Sequence, residues 1–329
     1  MNRREYLLGL TAALAAGPVA AQGFPSRPVT ILNGYPPGGS TDVAARLVGD
    51  GMSRHLGGKP FVVENRPGAS GTVVASSLKR QEADGYTLLL SESSSFAIWP
   101  AMYAEGVKYD PLTDFDWVAT ICTAPMVLIV SPDFPAQTLP EALELLSSEK
   151  SKDFNYSSSG AGSIPHIAAE LFRSRIGPTN ESRHIPYRGG APAVQSIMKG
   201  ETAWGIASLG SAAGSIQGRL VRALAVTSPS RFPLFPDIPT FGEMGLKEVE
   251  LNIFYLVHAP AGLPSDVLDL LNKATTATLA EATTRERFLN AGMVAWEGEN
   301  TATSTKAIVA TELDRFKDVA KRTGIRILG

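Results

Sequence analysis

A single cysteine, Cys122, stands in 329 residues, so no intramolecular disulfide can form and the fold cannot lean on cross-links. Flanked by Ile121, Thr123 and Ala124, it reads as a small buried hydrophobe, not a reactive thiol. Histidine is scarce as well, with four residues. His55, His166, His184 and His258 are scattered without the spacing of a metal site. Charged residues make up only 19% and the formal net charge is -2, which leaves no electrostatic footprint for nucleic acid. No basic tract marks a membrane surface. No Gly-Lys-Ser/Thr follows any glycine loop, Gly160-Ala161-Gly162 lacks the third glycine of a dinucleotide fingerprint, and no Gly-x-Ser-x-Gly elbow occurs. The Ser-x-x-Lys spacings at Ser76/Lys79, Ser147/Lys150 and Ser196/Lys199 lack the partner motifs that would make them catalytic. The residues therefore call for no cofactor, no metal and no catalytic group. Long apolar runs are missing too: a membrane anchor needs about 20 such residues, and the stretch from Tyr6 to Ala16 is shorter and broken at Gly9.

That short stretch has another use. Arg3-Arg4 precede it and Val19-Ala20-Ala21 follow it with small residues, the layout of an export signal over residues 1–21 cut near Ala21. Arg3-Arg4-Glu5-Tyr6-Leu7 approximates the twin-arginine address, and it equally fits the basic region of a general secretory signal.

What the chain does have is 31 glycines, 23 prolines and 44% hydrophobic residues, a turn-rich composition with apolar content for two domains of ordinary size. Apolar strands alternate with amphipathic helices, the pattern of a mostly parallel sheet covered by helices. Val29-Thr30-Ile31-Leu32 leads through Tyr35-Pro36-Pro37-Gly38-Gly39-Ser40-Thr41-Asp42 into a helix with Val43, Ala44, Leu47, Val48 and Met52 on one face. Gly38 and Gly39 free the backbone, and Ser40 or Thr41 is expected to cap the helix. The strand Tyr86 to Leu90 ends in a polar loop, Ser91-Glu92-Ser93-Ser94-Ser95, expected at the same crevice because ligands of open α/β sheets bind at the carboxyl ends of strands. Trp117 to Val130 is nearly all apolar, broken only at Pro125, and suits a strand passing between lobes. A second unit follows. Its strand Phe154-Asn155-Tyr156 leads to Ser157-Ser158-Ser159-Gly160-Ala161-Gly162-Ser163, where Ser163 can cap the next helix, Pro165 fits the first turn, and Ser158 and Ser159 add hydroxyls. Leu251 to Ala259 reads as the return strand.

Each glycine–serine loop alone fits either an ordinary tight turn or an anion site, because a helix start carries partial positive charge and free N–H groups. Two such loops in separate lobes can grip both ends of an anion. His166 sits in a first helical turn, where the dipole disfavours its cation and a neutral hydrogen-bonding role is expected.

These segments together resemble the substrate-binding receptors of tripartite tricarboxylate transporters, also called Bug-type receptors. The resemblance runs through Pro37-Gly38-Gly39-Ser40-Thr41-Asp42, Val63-Glu64-Asn65-Arg66-Pro67-Gly68, Asp84-Gly85-Tyr86-Thr87-Leu88-Leu89, Tyr156 to His166, Pro186-Tyr187-Arg188-Gly189, Pro236-Asp237-Ile238-Pro239-Thr240 and Ala259-Pro260-Ala261-Gly262. It implies an α/β, two-lobed periplasmic binding protein of type II, with a ligand cleft between lobes joined by crossing strands. Lobe I is expected over 22–124 and 249–329, and lobe II over 125–248. The implied job is to capture a small organic acid and deliver it, as a monomer, to the membrane subunits of such a transporter. An enzyme or sensor on the same scaffold is the alternative. Carried onto this chain, the family's carboxylate-holding loops are Gly38, Gly39, Ser40 and Thr41, with Ser158, Gly160, Gly162 and Ser163. Pro37, Asp42, Ser93, Ser94, Ser159, His166 and Ser208 complete the expected lining. Three positions depart from the family pattern: Glu92 replaces a small hydroxyl residue, Trp99 replaces Asn, and Ala207 replaces an acid. If Glu92 faces the cleft it steers the ligand away from small dicarboxylates; if it turns outward it pairs with a Lys or Arg.

Overall fold

The structure is a computed structural model that describes residues 23–249 and 251–327; the expected export signal lies outside these residues. Its sheet runs β2 (Phe61–Asn65), β1 (Val29–Asn33), β3 (Thr87–Glu92), β9 (Asn252–Pro260), β4 (Phe115–Val130), β7 (Trp204–Ser208), β5 (Tyr156–Ser158), β6 (His184–Pro186), with β8 (Arg222–Val226) and β10 (Val294–Ala295) joined to β4. Strand β1 (Val29–Asn33) lies between β2 (Phe61–Asn65) and β3 (Thr87–Glu92), all parallel. Helices α1 (Ser40–His55) and α2 (Thr72–Leu78) make the crossovers that parallel pairing demands.

β4 (Phe115–Val130) is the 16-residue strand that joins the two halves. Up to Pro125 it pairs antiparallel with β9 (Asn252–Pro260). From Met126 to Val130 it pairs instead with β7 (Trp204–Ser208) and β8 (Arg222–Val226). Proline has no N–H to give a ladder, so the change of partner falls where the ladder is already interrupted. The return crossing lies alongside. Thr227 Oγ1 accepts from the Met126 N–H at 2.7 Å and donates to the Leu251 carbonyl, tying the outward and homeward strands at one level. Lobe II continues as β7-β5-β6, parallel, with β5 at Tyr156–Ser158 and β6 at His184–Pro186.

The short α3 (Trp99–Met102) lies at the rim of the first half, while α4 (Leu139–Leu146), α5 (Ile164–Ile176), α6 (Gly190–Met198) and α7 (Leu209–Gln217) cover the second half-sheet. Helices α8 (Ser265–Ala280), α9 (Ala282–Asn290) and α10 (Ala302–Thr323) return to the first half. The short β10 (Val294–Ala295) pairs with β4. One apolar cluster runs through both halves, and a smaller one, built on Val127, Ile129, Leu209 and Val226, covers the far face of lobe II. Cys122 is fully buried and its thiol is pushed up by burial, as expected of a small core hydrophobe. Among the described residues no helix is long and apolar enough to cross a membrane.

Two expected elements differ. The serine run after β3 is not a loop but a widened helical turn of π type, Ser94–Ile98, continuing into α3. β5 starts two residues later than the apolar pattern suggests, so Ser157 and Ser158 lie in the strand, register-paired with Ile185 and Pro186. In both places serine hydroxyls replace the apolar contacts that pattern reading looks for. The carboxyl ends of β1, β3, β5 and β7 all meet the gap between the halves.

Candidate functional site

The first loop is held by its own carboxylate. Asp42 accepts from the Gly38 N–H at 3.1 Å, from Asn65 Nδ2 at 2.9 Å and from Arg46 at 2.9 and 3.0 Å. Burial pushes its pKa up, but the hydrogen bonds from Arg46, Asn65 and Gly38 prevail and hold the carboxyl below the usual range. Gly38 has φ +83°, a conformation that costs glycine nothing. The helix cap is Gly39, not Ser40 or Thr41: it is extended at φ -82°, ψ 169° and offers no side-chain oxygen. Ser40 therefore occupies the first helical position, where its hydroxyl faces the gap instead of the helix. Its N–H donates to Ser211 Oγ at 3.2 Å in lobe II.

The second loop is held from behind. Ser163 caps α5, accepting from the His166 N–H at 3.3 Å and donating to the Gly160 carbonyl at 2.7 Å. The Gly162 N–H donates to His166 Nδ1 at 3.1 Å, which places the His166 proton on Nε2. The His166 ring stacks on His184 at 4.1 Å, and His184 stacks on Tyr156 at 4.9 Å. Ser158 Oγ lies 2.7 Å from His184 Nε2 and accepts from the Gly160 N–H at 3.2 Å. Burial pulls His166 down, and burial together with His166 pulls His184 down to about 4. The column is thus neutral and acts as a rigid backing for the loop.

Glu92 forms the floor. It is 3% exposed and turns inward, with no surface cation beside it. Tyr35 Oη donates to one carboxylate oxygen, while the Ser94 N–H and Oγ donate to the other at 2.7 and 3.0 Å. Burial raises its carboxyl above the ordinary range against the pull of these donors. Burial and Glu92 in turn push the Tyr35 phenol well up.

The two halves are closed on one another. Ser70 Oγ donates to the Ala161 carbonyl at 3.1 Å, the Ile164 N–H to Ser94 Oγ at 3.0 Å, and Ser208 Oγ meets Tyr255 Oη at 3.1 Å. Each such bond contributes about 0.5–1.5 kcal/mol net. Ala69 and Ser70 both take positive φ, +41° and +51°, a strained conformation for residues with a β-carbon. It is this twist that brings the Ser70 hydroxyl to the second loop. The closed gap holds two spaces. An inner void of about 20 Å³ is lined by Ser40, Thr41, Glu92, Ser208 and Ser211, among others. An outer chamber of about 570 Å³ lies between Trp99 and the Ala69-Ser70 turn on one side and Ser159-Gly160-Ala161 and Arg188 on the other. Tyr35 and Ser159 border both.

Of the residues singled out from the sequence, the structure brings Gly39, Ser40, Thr41, Glu92, Ser159, Gly160 and Ser208 to these walls. Ser94 and Gly162 sit at the contact between lobes. The others stand back for identifiable reasons. Pro37 and Gly38 form the solvent side of their loop, Asp42 braces it, and Ser93 Oγ accepts from the Phe254 N–H at 3.0 Å inside the sheet. Ser158, Ser163 and His166 are engaged in the backing of the second loop, and Ala207 lies in β7 opposite Val127. Tyr35, Ser70, Tyr187, Arg188 and Ser211 were not singled out. Tyr187 and Arg188 stand inside a segment that carried the family resemblance, which was the available signal; Tyr35 lies just ahead of another such segment, and Ser211 had none.

Comparison with known proteins places the chain. The family model described as the tripartite tricarboxylate transporter family receptor matches residues 44–325. Protein BugT of Bordetella pertussis is 32% identical over 329 residues, 99% of each chain. A solved Rhodopseudomonas palustris structure with adipate is 29% identical, with a TM-score of 0.87 over 93% of this chain and 100% of the other. MatC from Rhodopseudomonas palustris with bound malate is 27% identical, with a TM-score of 0.84 over 90% and 99%. The α/β, two-lobed periplasmic binding-protein fold and its family are therefore established together: this chain belongs to the tripartite tricarboxylate transporter receptor family.

Proposed function

We propose that the chain is a solute receptor without catalysis, which captures a small organic acid in the cleft and delivers it to the membrane subunits of a tripartite tricarboxylate-type transporter. The observation that carries this reading is the meeting of two braced glycine–serine loops, one from each half, across a single closed gap lined by hydroxyls. The relatives solved with malate and adipate support a carboxylate as the ligand. Trp99, 8% exposed, supplies an aromatic wall of the outer chamber against which a ligand would pack.

In this reading residues 22–124 and 249–329 form lobe I, 125–248 form lobe II, and the crossings at Pro125 and Leu251 serve as the hinge. Gly39, Ser40, Thr41, Ser159, Gly160 and Ser208 contact the ligand or its waters. The precursor is exported and cut near Ala21, and the mature chain works as a monomer. A thermal-shift screen of the mature protein against mono- and dicarboxylates, amino acids and aromatic acids tests this directly. The reading expects at least one carboxylate to raise the melting temperature saturably. Turnover of that compound would favour an enzyme, and no response from any carboxylate would overturn the receptor.

A further inference from the structure

A carboxylate as deeply buried as that of Glu92 needs compensation, because an ionised group taken out of water without it is costly. Tyr35 and Ser94 donate to it, and Tyr109 and Tyr255 stand within its electrostatic reach. None of these is a cation. The remaining compensation lies across the gap. Pro165, in the first turn of α5, lines the same inner void as Glu92, and α5 is a helix of 13 residues whose start carries partial positive charge.

Most N–H groups of that start are engaged within lobe II. Pro165 has none, the His166 N–H goes to Ser163 Oγ at 3.3 Å, and the Ile167 N–H goes to the Ser163 carbonyl at 3.0 Å. Of these first four residues, only Ile164 sends its N–H out of the lobe, to Ser94 Oγ at 3.0 Å. A serine hydroxyl has one proton, and an ionised carboxylate can only accept. Ser94 gives its proton to Glu92 at 3.0 Å, which turns the Ser94 lone pairs toward Ile164. The Ser94 N–H on Glu92 at 2.7 Å and the Ser95 hydroxyl on the Glu92 carbonyl at 3.1 Å fix the turn around the carboxylate. Glu92, Ser94 and Ile164 thus form one line from a buried acid in the first half to a helix start in the second.

We propose that Glu92 is a positioning residue for lobe closure: acting through Ser94, it holds the start of α5 against the first half and lets the protein close for part of the time before any solute enters. This rests on the two-lobed closing of the receptor reading above and adds a latch that belongs to the chain itself.

The test is double electron–electron resonance on the dialysed mature chain, with nitroxides on Val73→Cys in the first half and Leu220→Cys in the second. Both positions are exposed, at 57% and 48%, and the native Cys122 is fully buried, so the labels go where they are placed. Without added solute the parent should show two distances, one of them that of the closed structure. Glu92→Gln should cut the closed-to-open ratio about fivefold or more, and Ser94→Ala should cut it comparably. Added to Ser94→Ala, Glu92→Gln should change the ratio by less than about twofold, because its route to α5 is already gone. Circular dichroism of each variant checks that it folds. A parent without the closed distance, a Glu92→Gln variant that closes as much as the parent or more, or an equal effect of Glu92→Gln with and without the Ser94 hydroxyl each overturns the proposal. Malate and adipate, the acids held by two relatives, and the rest of the carboxylate panel form a separate arm. A parent that closes only when one of these acids is added loses the latch and keeps the receptor reading. A parent whose closed share is present but unmoved by every acid keeps the latch and loses the receptor.

Discussion

Gly162 offers a perturbation that separates closure from folding. It lies in lobe II at φ +68°, and a β-carbon there would stand 2.6 Å from Ile327 Cδ1 and 2.8 Å from Trp99 Nε1. Both neighbours belong to the first half of the molecule: Ile327 is bridged to Tyr103, and Trp99 opens the helix α3 behind β3. Gly162→Ala thus carries two costs. The left-handed backbone costs a residue with a β-carbon about 1–2 kcal/mol, and it does so whether the lobes are open or closed. The steric overlap exists only in the closed form, where overpacking costs roughly 1–3 kcal/mol. Ligand affinity should fall by that second amount alone, roughly 5- to 150-fold. Gly245→Ala is the matched control, since Gly245 has φ +77° with no atom within 4 Å of its added β-carbon. Calorimetric titration with the strongest carboxylate, alongside thermal unfolding, reads both costs. Both variants should melt lower; only Gly162→Ala should bind more weakly. Equal affinities in the two variants would refute the claim that this contact forms on closure.

Other consequences follow from the same contacts. Ser70→Ala removes a hydroxyl that bonds the Ala161 carbonyl across the gap, and calorimetry should show affinity reduced by a few-fold, about 0.5–1.5 kcal/mol, with little change in melting temperature. Asp42→Ala strips the first loop of its brace: the Gly38 N–H loses the carboxylate, Asn65 keeps only the Tyr35 carbonyl and Arg46 only Asn65 at 3.5 Å; chemical denaturation should report a loss of roughly 1–3 kcal/mol. His184 and His258 are held down to about 4 and about 3, chiefly by burial, so the unfolded chain takes up protons that the folded chain refuses. Their contribution is full above pH 6.5 and lost as pH falls toward 4 and then 3. Melting temperature should drop across that window, less steeply in His258→Gln, and a profile as steep in the variant as in the parent would exclude His258 from the effect.

The crossing between the halves was readable where side chains report their own surroundings. The apolar run of β4 and its single Pro125 marked the crossing, because a long strand buried on both faces has no polar alternation and proline interrupts a ladder. Ser163 was readable as a cap because capping is local, three residues to either side. The floor was not. Whether Glu92 turns inward depends on Tyr35, 57 positions away, and no periodicity encodes that meeting. The start of α1 was misplaced onto Ser40 or Thr41 because serine and threonine are better caps than glycine in general. Here the hydroxyls face the gap and the extended Gly39 takes the cap, a local preference overruled by the closed cleft. Ser91 to Ser95 read as a loop for the same reason: serine has weak helix propensity, but Ser94 and Ser95 turn their hydroxyls back onto Glu92 at 3.0 and 3.1 Å and hold a helical segment in place.

The central claim is that the two halves close on an organic acid. Small-angle X-ray scattering of the mature chain, with and without the carboxylate that most raises its melting temperature, measures that closure most directly. A compact chain of this length has a radius of gyration of about 19 Å. The account predicts a larger radius for the empty protein and a saturable fall toward that value as ligand is added, with the midpoint matching the calorimetric affinity. A radius that does not change between the free and saturated protein would contradict it.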